Sequence, residues 1–114
     1  MDRRHRLTSS QDVQRVRSAG KSYAHPLAVL VTCRNDLDQS RFAVGAGRSL
    51  GGAVRRNRAK RRLRSALRLL TPMIAPGWDV LLLARDTTPS AGWPDLQKAV
   101  LGLCRRAGLL TEVV

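Results

Sequence analysis

Apolar residues along the chain switch between two periods, and the switches mark the elements. Residues 26–33, PLAVLVTC, form a near-continuous apolar run of strand length. The polar stretch RNDLDQS then turns the chain. In RFAVGAG (41–47), Phe42, Val44 and Ala46 alternate with their neighbours, the period of a strand. Two such runs joined by a short polar turn predict an antiparallel hairpin. A further apolar run, WDVLLLAR (78–85), reads as a third buried strand.

The helical period frames these strands. Thr8-Ser9-Ser10-Gln11 has the form of a capping box, and Gly20 can stop the helix it starts. A helix is therefore expected over about residues 9–19, with Leu7, Val13 and Val16 as sparse apolar contacts. Residues 53–70 form a second helix, ended by Thr71-Pro72 because proline disfavours continuation. At 100° per residue, Ala59, Leu63, Ala66, Leu67 and Leu70 cluster within about 100° of one another. After the break DTTPSAGWP, a last helix runs from about Asp95 to Ala107. Its apolar positions Leu96, Ala99, Val100, Leu103 and Ala107 share one face. The order α-β-β-α-β-α predicts an α+β fold: a two-layer α/β sandwich of a small mixed sheet with helices packed on it. At 114 residues the chain is expected to be one domain, with residues 1–6 and 110–114 mobile.

Charge changes this picture. The chain carries 21 Arg and Lys against 8 acids, a net charge of +13, with a sequence pI of about 11.7. Most of the cations are Arg, whose planar fork of donors suits phosphate. A polyanionic partner follows, nucleic acid before membrane. No apolar run is long enough for a transmembrane helix, and MDRRHRLTSSQD has no apolar region behind it to act as a secretory signal. Cys33 and Cys104 are too few for a disulfide framework or a zinc site, so they read as core thiols of a cytoplasmic protein.

The basic residues concentrate on the second helix. AVRRNRAKRRLRSAL (53–67) holds seven Arg or Lys and no acid, and no acid occurs anywhere from Gln39 to Trp78. A disordered tail needs no apolar stripe, so the segment folds. Opposite the stripe, Asn57, Arg61, Arg64 and Arg68 form a second line about 150° away, flanked by Arg58 and Lys60. A solvated helix usually mixes signs to relieve repulsion. Here Arg55, Arg56 and Arg58 sit in or near the first turn, where the helix dipole disfavours cations. An anion bound at that end reverses the penalty.

Other chemistry is not supported. GAGRSLGG (45–52) follows a strand and opens a helix, but Leu50 stands where a dinucleotide-binding loop wants its third Gly. Ala53 likewise stands where a P-loop wants Lys, so the segment reads as a turn. His5 and His25 lie in contexts that do not make a catalytic pair. No residue of the chain is expected to be catalytic or to hold a metal.

Beyond composition, GGAVRRNRAKRRLR (51–64) closely resembles the RNR signature of the bacterial ribonuclease P protein subunit. The likeness extends over RRHRLTSSQDVQRVRSAGKS, RFAVGAGRSLGGAV, WDVLLLAR and the Leu-rich basic helix at the end. The resemblance implies a subunit that pairs with a catalytic RNA to cut the 5′ leader from precursor tRNA, with Mg²⁺ on the RNA, which does the chemistry. It also implies a left-handed crossover between the strands flanking the RNR helix, against the general right-handed rule. Arg56, Asn57, Arg58, Lys60, Arg61 and Arg64 match the motif, and Arg48 falls where the family has a basic residue. With Arg55 and Arg68, these form the expected RNA-binding set. The family's leader cleft corresponds to Val13, Arg17 and Val31, positions where relatives often carry aromatics. With so few aromatics here, leader binding is expected to lean on charge from Arg6, Arg17 and Lys21 rather than on stacking. A non-enzymatic RNA-binding protein of ribosomal type shares the composition. A DNA-reading helix is disfavoured because Arg lines all but the apolar face and no helix-turn-helix partner precedes it.

Overall fold

The computed structural model describes residues 6–111. In chain order these form α1 (Ser10–Ala19), β1 (Lys21–His25), β2 (Ala28–Arg34), β3 (Arg41–Gly45), α2 (Ala53–Leu70), β4 (Trp78–Ala84) and α3 (Trp93–Arg106), with short 3₁₀ turns at Arg48–Leu50, Thr71–Met73 and Thr88–Ser90. The four strands make one sheet in the order β1-β2-β4-β3.

The expected strands and helices are present, and the α+β architecture with a small mixed sheet stands. One strand and one pairing differ from expectation. KSYAH forms β1, an edge strand whose hairpin partner is β2, with Lys21 opposite Thr32 and His25 opposite Ala28. An edge strand buries little, so its sequence carries no apolar run to announce it. The predicted hairpin between residues 26–33 and 41–47 does not form. β4 lies between them, antiparallel to β2 and parallel to β3. A strand as apolar as VLLL needs cover on both faces and both edges, which an interior position supplies and an edge position does not. β3, α2 and β4 thus form the parallel crossover unit of the fold.

Alternation sorts the sheet residues between two cores. Leu30, Phe42, Val80 and Leu82 pack with Leu63, Leu67, Val100 and Leu103 of α2 and α3. Val31 and Leu81 face the other way and pack with Leu7 and Val16 beneath α1. The helices therefore cover both faces of the sheet, α1 on one and α2 with α3 on the other, so the α+β fold has three layers where two are expected, because Val31 and Leu81 also need cover.

Local chemistry sets the boundaries. Ser9, one residue into the expected capping box, is the N-cap of α1, and its Oγ accepts from the amide of Asp12 at 3.4 Å. Gly20 ends that helix where no side chain fits: a Cβ would stand 2.4 Å from the Val16 carbonyl oxygen and 2.8 Å from that of Thr32. Gly51 takes φ 113° to leave the 3₁₀ turn and lead into α2, while Leu50, buried, anchors the turn to the core. Of the ends expected to be mobile, Arg6 bridges to Phe42, Leu110 bridges to Ile74, and Thr111 donates its amide to the Met73 carbonyl at 2.7 Å. The remaining residues of those ends lie outside the described residues. Cys104 is fully buried, and burial pushes its thiol up to about 12. Cys33 is half-buried, with Arg15 Nη1 at 3.1 Å from its sulfur.

Candidate nucleic-acid interface

α2 presents three sides. Its apolar stripe, Ala59, Leu63, Ala66, Leu67 and Leu70, is buried as expected. Opposite it, Asn57, Arg61, Arg64 and Arg68 are exposed, with Lys60 half-buried beside them. Val54, Asn57, Lys60, Arg61 and Arg64 line one shallow hollow of about 440 Å³. The helix starts at Gly52, which supplies no side-chain cap, and its first turn holds no acid. The first amides of α2 thus have neither a side-chain cap nor a neighbouring acid, the condition under which a helix start favours an anion. Arg48, on the turn just before, is also exposed.

The third side was not read from the sequence. Arg55 Nη2 donates to the Asp86 carbonyl at 2.9 Å, and Arg58 Nε donates to the Pro89 carbonyl at 3.1 Å. Arg62 Nη1 donates to the carbonyls of Thr88 at 2.8 Å and Pro89 at 2.9 Å, while its Nη2 donates to Ala91. These three arginines grip the loop between β4 and α3. Their spacing, i, i+3 and i+7, is itself a helical line and was the available signal. Arg55 and Arg58 of the expected RNA set thus spend donors on the protein's own backbone. Arg56 is half-buried, and its Nε is enclosed without a hydrogen-bond partner.

The expected leader residues do not share one surface. Val31 is closed off beneath α1 and serves packing. Val13 is half-buried at the rim of the same cluster. Arg17 is exposed on the last turn of α1 and reaches toward β3, where a Cβ on Gly45 would lie 4.0 Å from its Nη2. Lys21 points to the other face, its Nζ 5.6 Å from the centroid of the Tyr23 ring, which packs on the α2–α3 core. Arg6 is exposed on the segment that bridges to β3.

A second feature absent from the sequence reading holds α1 in place. Asp79 on β4 is fully buried. It accepts from Arg41 Nε at 2.9 Å and Nη2 at 2.8 Å, from Asn35 Nδ2 at 2.9 Å, and from Arg15 Nη2 of α1. Arg41 Nη1 also reaches Asp12 of α1 at 3.2 Å. Burial pushes the Asp79 carboxyl up, but the hydrogen bonds from Arg41 and Asn35 and the charges of Arg41 and Arg15 outweigh it and hold it below its ordinary value. The lone acid in WDVLLLAR was the clue, because a charge on a central strand requires a partner.

Among the described residues, no group of three or more His, Cys, Asp or Glu is placed to hold a metal ion, and no helix is long and apolar enough to cross a membrane. Fold and surface together define a small basic α+β domain whose second helix is divided into a core side, a loop-gripping side and an open cationic side.

Known proteins share this arrangement. Residues 1–108 match the family described as Ribonuclease P. The chain is 41% identical over 109 residues to the ribonuclease P protein component of Herpetosiphon aurantiacus, covering 96% of this chain and 89% of that protein. It is 40% identical over 111 residues to the component from Symbiobacterium thermophilum, covering 96% of each. The RNase P protein of Staphylococcus aureus superposes with a TM-score of 0.82 at 26% identity, over 94% of this chain and 98% of that one. That of Thermotoga maritima superposes with a TM-score of 0.78 at 27% identity, over 89% and 96%. The chain belongs to the ribonuclease P protein family. It is a subunit of the tRNA-processing endoribonuclease, which sets aside the ribosomal-type alternative.

Proposed function

We propose that the open side of α2 binds the catalytic RNA subunit of ribonuclease P, and that the surface around α1 and β3 binds the 5′ leader of precursor tRNA. The protein thereby assists removal of the leader to give the mature tRNA 5′ end in the cytoplasm. One observation carries this reading: Asn57, Arg61, Arg64 and Arg68 stand exposed opposite a buried apolar stripe, with no acid on the helix to neutralise them. The phosphate backbone of a folded RNA supplies the missing charge.

Mg²⁺ belongs to the RNA in this proposal. The protein's enclosed carboxylate, Asp79, has its oxygens committed to Arg15, Arg41 and Asn35, so its donor set does not fit a metal. The chain's own residues hold RNA and orient it. Arg17 contributes charge on the leader side; with Val31 enclosed and Val13 half-buried, the described residues offer no aromatic platform there.

The test is reconstitution with a bacterial ribonuclease P RNA at low Mg²⁺. Cleavage of precursor tRNA above the rate of the RNA alone is expected, and no stimulation would refute the proposal. For the leader, affinity in the holoenzyme should fall steeply between low and moderate salt, since phosphate contacts release counterions. A flat salt response would remove the charge-based account of leader binding.

A further inference from the structure

A hollow of about 490 Å³ opens between the N-terminal segment, β3 and the far half of α2. Arg6, Arg64 and Arg68 line it, with Thr8 beside them and Ala43 and Val44 of β3 forming its floor. Among the described residues, none of the three guanidinium groups has a hydrogen-bond or ion-pair partner. Elsewhere Arg15 and Arg41 are engaged by carboxylates, and Arg55, Arg58 and Arg62 by carbonyls.

This convergence is built rather than incidental. Arg6 does not hang on a loose tail: its backbone pairs with Phe42 as a parallel bridge. The next residue, Leu7, donates its amide to the Phe42 carbonyl at 2.8 Å and is buried. Arg64 and Arg68 are four apart on one helix, a spacing at which like charges repel. Bringing Arg6 to the same hollow adds a third cation where a neutral residue would fold as well. An anion in the hollow turns this repulsion into three charge-assisted contacts.

We propose that the hollow is a binding site for an RNA phosphodiester, gripped by Arg6, Arg64 and Arg68 with the Thr8 hydroxyl beside them. The inference rests on the reading that α2 faces RNA, and it regroups Arg6 with the far end of α2 instead of with Arg17. The same chemistry can come from the RNA subunit or from the leader, so both are assayed.

The experiment uses the full chain with a bacterial ribonuclease P RNA. Arg6→Ala, Arg68→Ala and the double variant are compared with Arg61→Ala, which lies outside the hollow, after thermal melting has shown that all fold. One arm measures affinity for the RNA subunit across a salt series. The other measures holoenzyme affinity for precursor tRNA with and without its leader. A shared phosphate makes the losses non-additive: each single variant loses about five- to tenfold in one arm, and the double loses little more. The slope of log affinity against log salt falls by about 0.7 to 0.9 once, not twice. Loss in the first arm assigns the phosphate to the RNA subunit, and loss only with leader-bearing substrate assigns it to the leader. Multiplied losses with two steps in slope overturn the site, as does an unchanged affinity in both arms. If Arg61→Ala weakens binding while Arg6→Ala and Arg68→Ala do not, the hollow alone falls. If none of the variants weakens binding, the RNA-facing reading of α2 falls with it.

Discussion

Replacing Asp79 with Asn keeps the shape of the β4 side chain and removes a buried charge that ties α1 to the sheet. The carboxylate is fully enclosed and meets two guanidinium groups and one amide. Breaking a fully buried pair costs about 3–5 kcal/mol. The Arg15 and Arg41 side chains keep 38% and 21% of their surface exposed, so water takes up part of the uncompensated charge. We therefore expect about 2–3 kcal/mol, which for a domain of this size lowers Tm by about 8–12 °C. The effect has a pH signature. The folded carboxyl titrates below its ordinary value of 3.8, so its contribution is complete above the unfolded value and is lost as pH falls through the folded one. The Tm gap between the wild-type chain and Asp79→Asn should stay constant from pH 7 to about pH 5 and close below about pH 4. Melting curves at pH 7, 5, 3.5 and 2.5 measure it. A gap of the same size at every pH, or no gap at pH 7, would refute the assignment. Because Arg15 is the α1 end of this tie, the variant should also bind leader-bearing substrate more weakly while holding the RNA subunit normally.

Other perturbations separate the three sides of α2 and the turn after α1. Leu67 is fully buried in the main core, so Leu67→Ala should cost about 2–5 kcal/mol in denaturant unfolding while the folded fraction binds RNA normally. Arg62→Ala should cost about 2 kcal/mol and speed amide hydrogen exchange in the Asp86–Ala91 loop, because the Thr88, Pro89 and Ala91 carbonyls lose a charged donor. Unchanged exchange there would show that the loop holds itself. Gly20→Ala should destabilise by about 1–3 kcal/mol in the same unfolding assay, since its Cβ would press on two backbone carbonyls that cannot swing away.

Much of this was legible in the sequence because it depends on local period. The stripe of α2 follows from 3.6-residue spacing, and β2 and β4 announce themselves as apolar runs. What depends on pairing across the chain was not legible. KSYAH becomes a strand only because β2 offers it an edge. The insertion of β4 between β2 and β3 is decided by which strand most needs burial on both sides, not by proximity in sequence. The same holds for the site. Exposure of Arg61, Arg64 and Arg68 follows from the helical wheel. The diversion of Arg55, Arg58 and Arg62 to the Asp86–Ala91 loop depends on where β4 and α3 deliver that loop. Val31 was placed on the leader surface by motif position, but it lies under α1, where only the fold could put it.

The claim at the centre is that the open side of α2 holds the catalytic RNA of ribonuclease P through its phosphates. The salt dependence of binding to that RNA, compared between the wild-type chain and Arg61→Ala/Arg64→Ala, measures this directly. Loss of two phosphate contacts should lower the slope of log affinity against log salt by about 1.4 to 2, with Tm unchanged. An identical slope in the two proteins would contradict the claim, whatever the change in affinity at a single salt concentration.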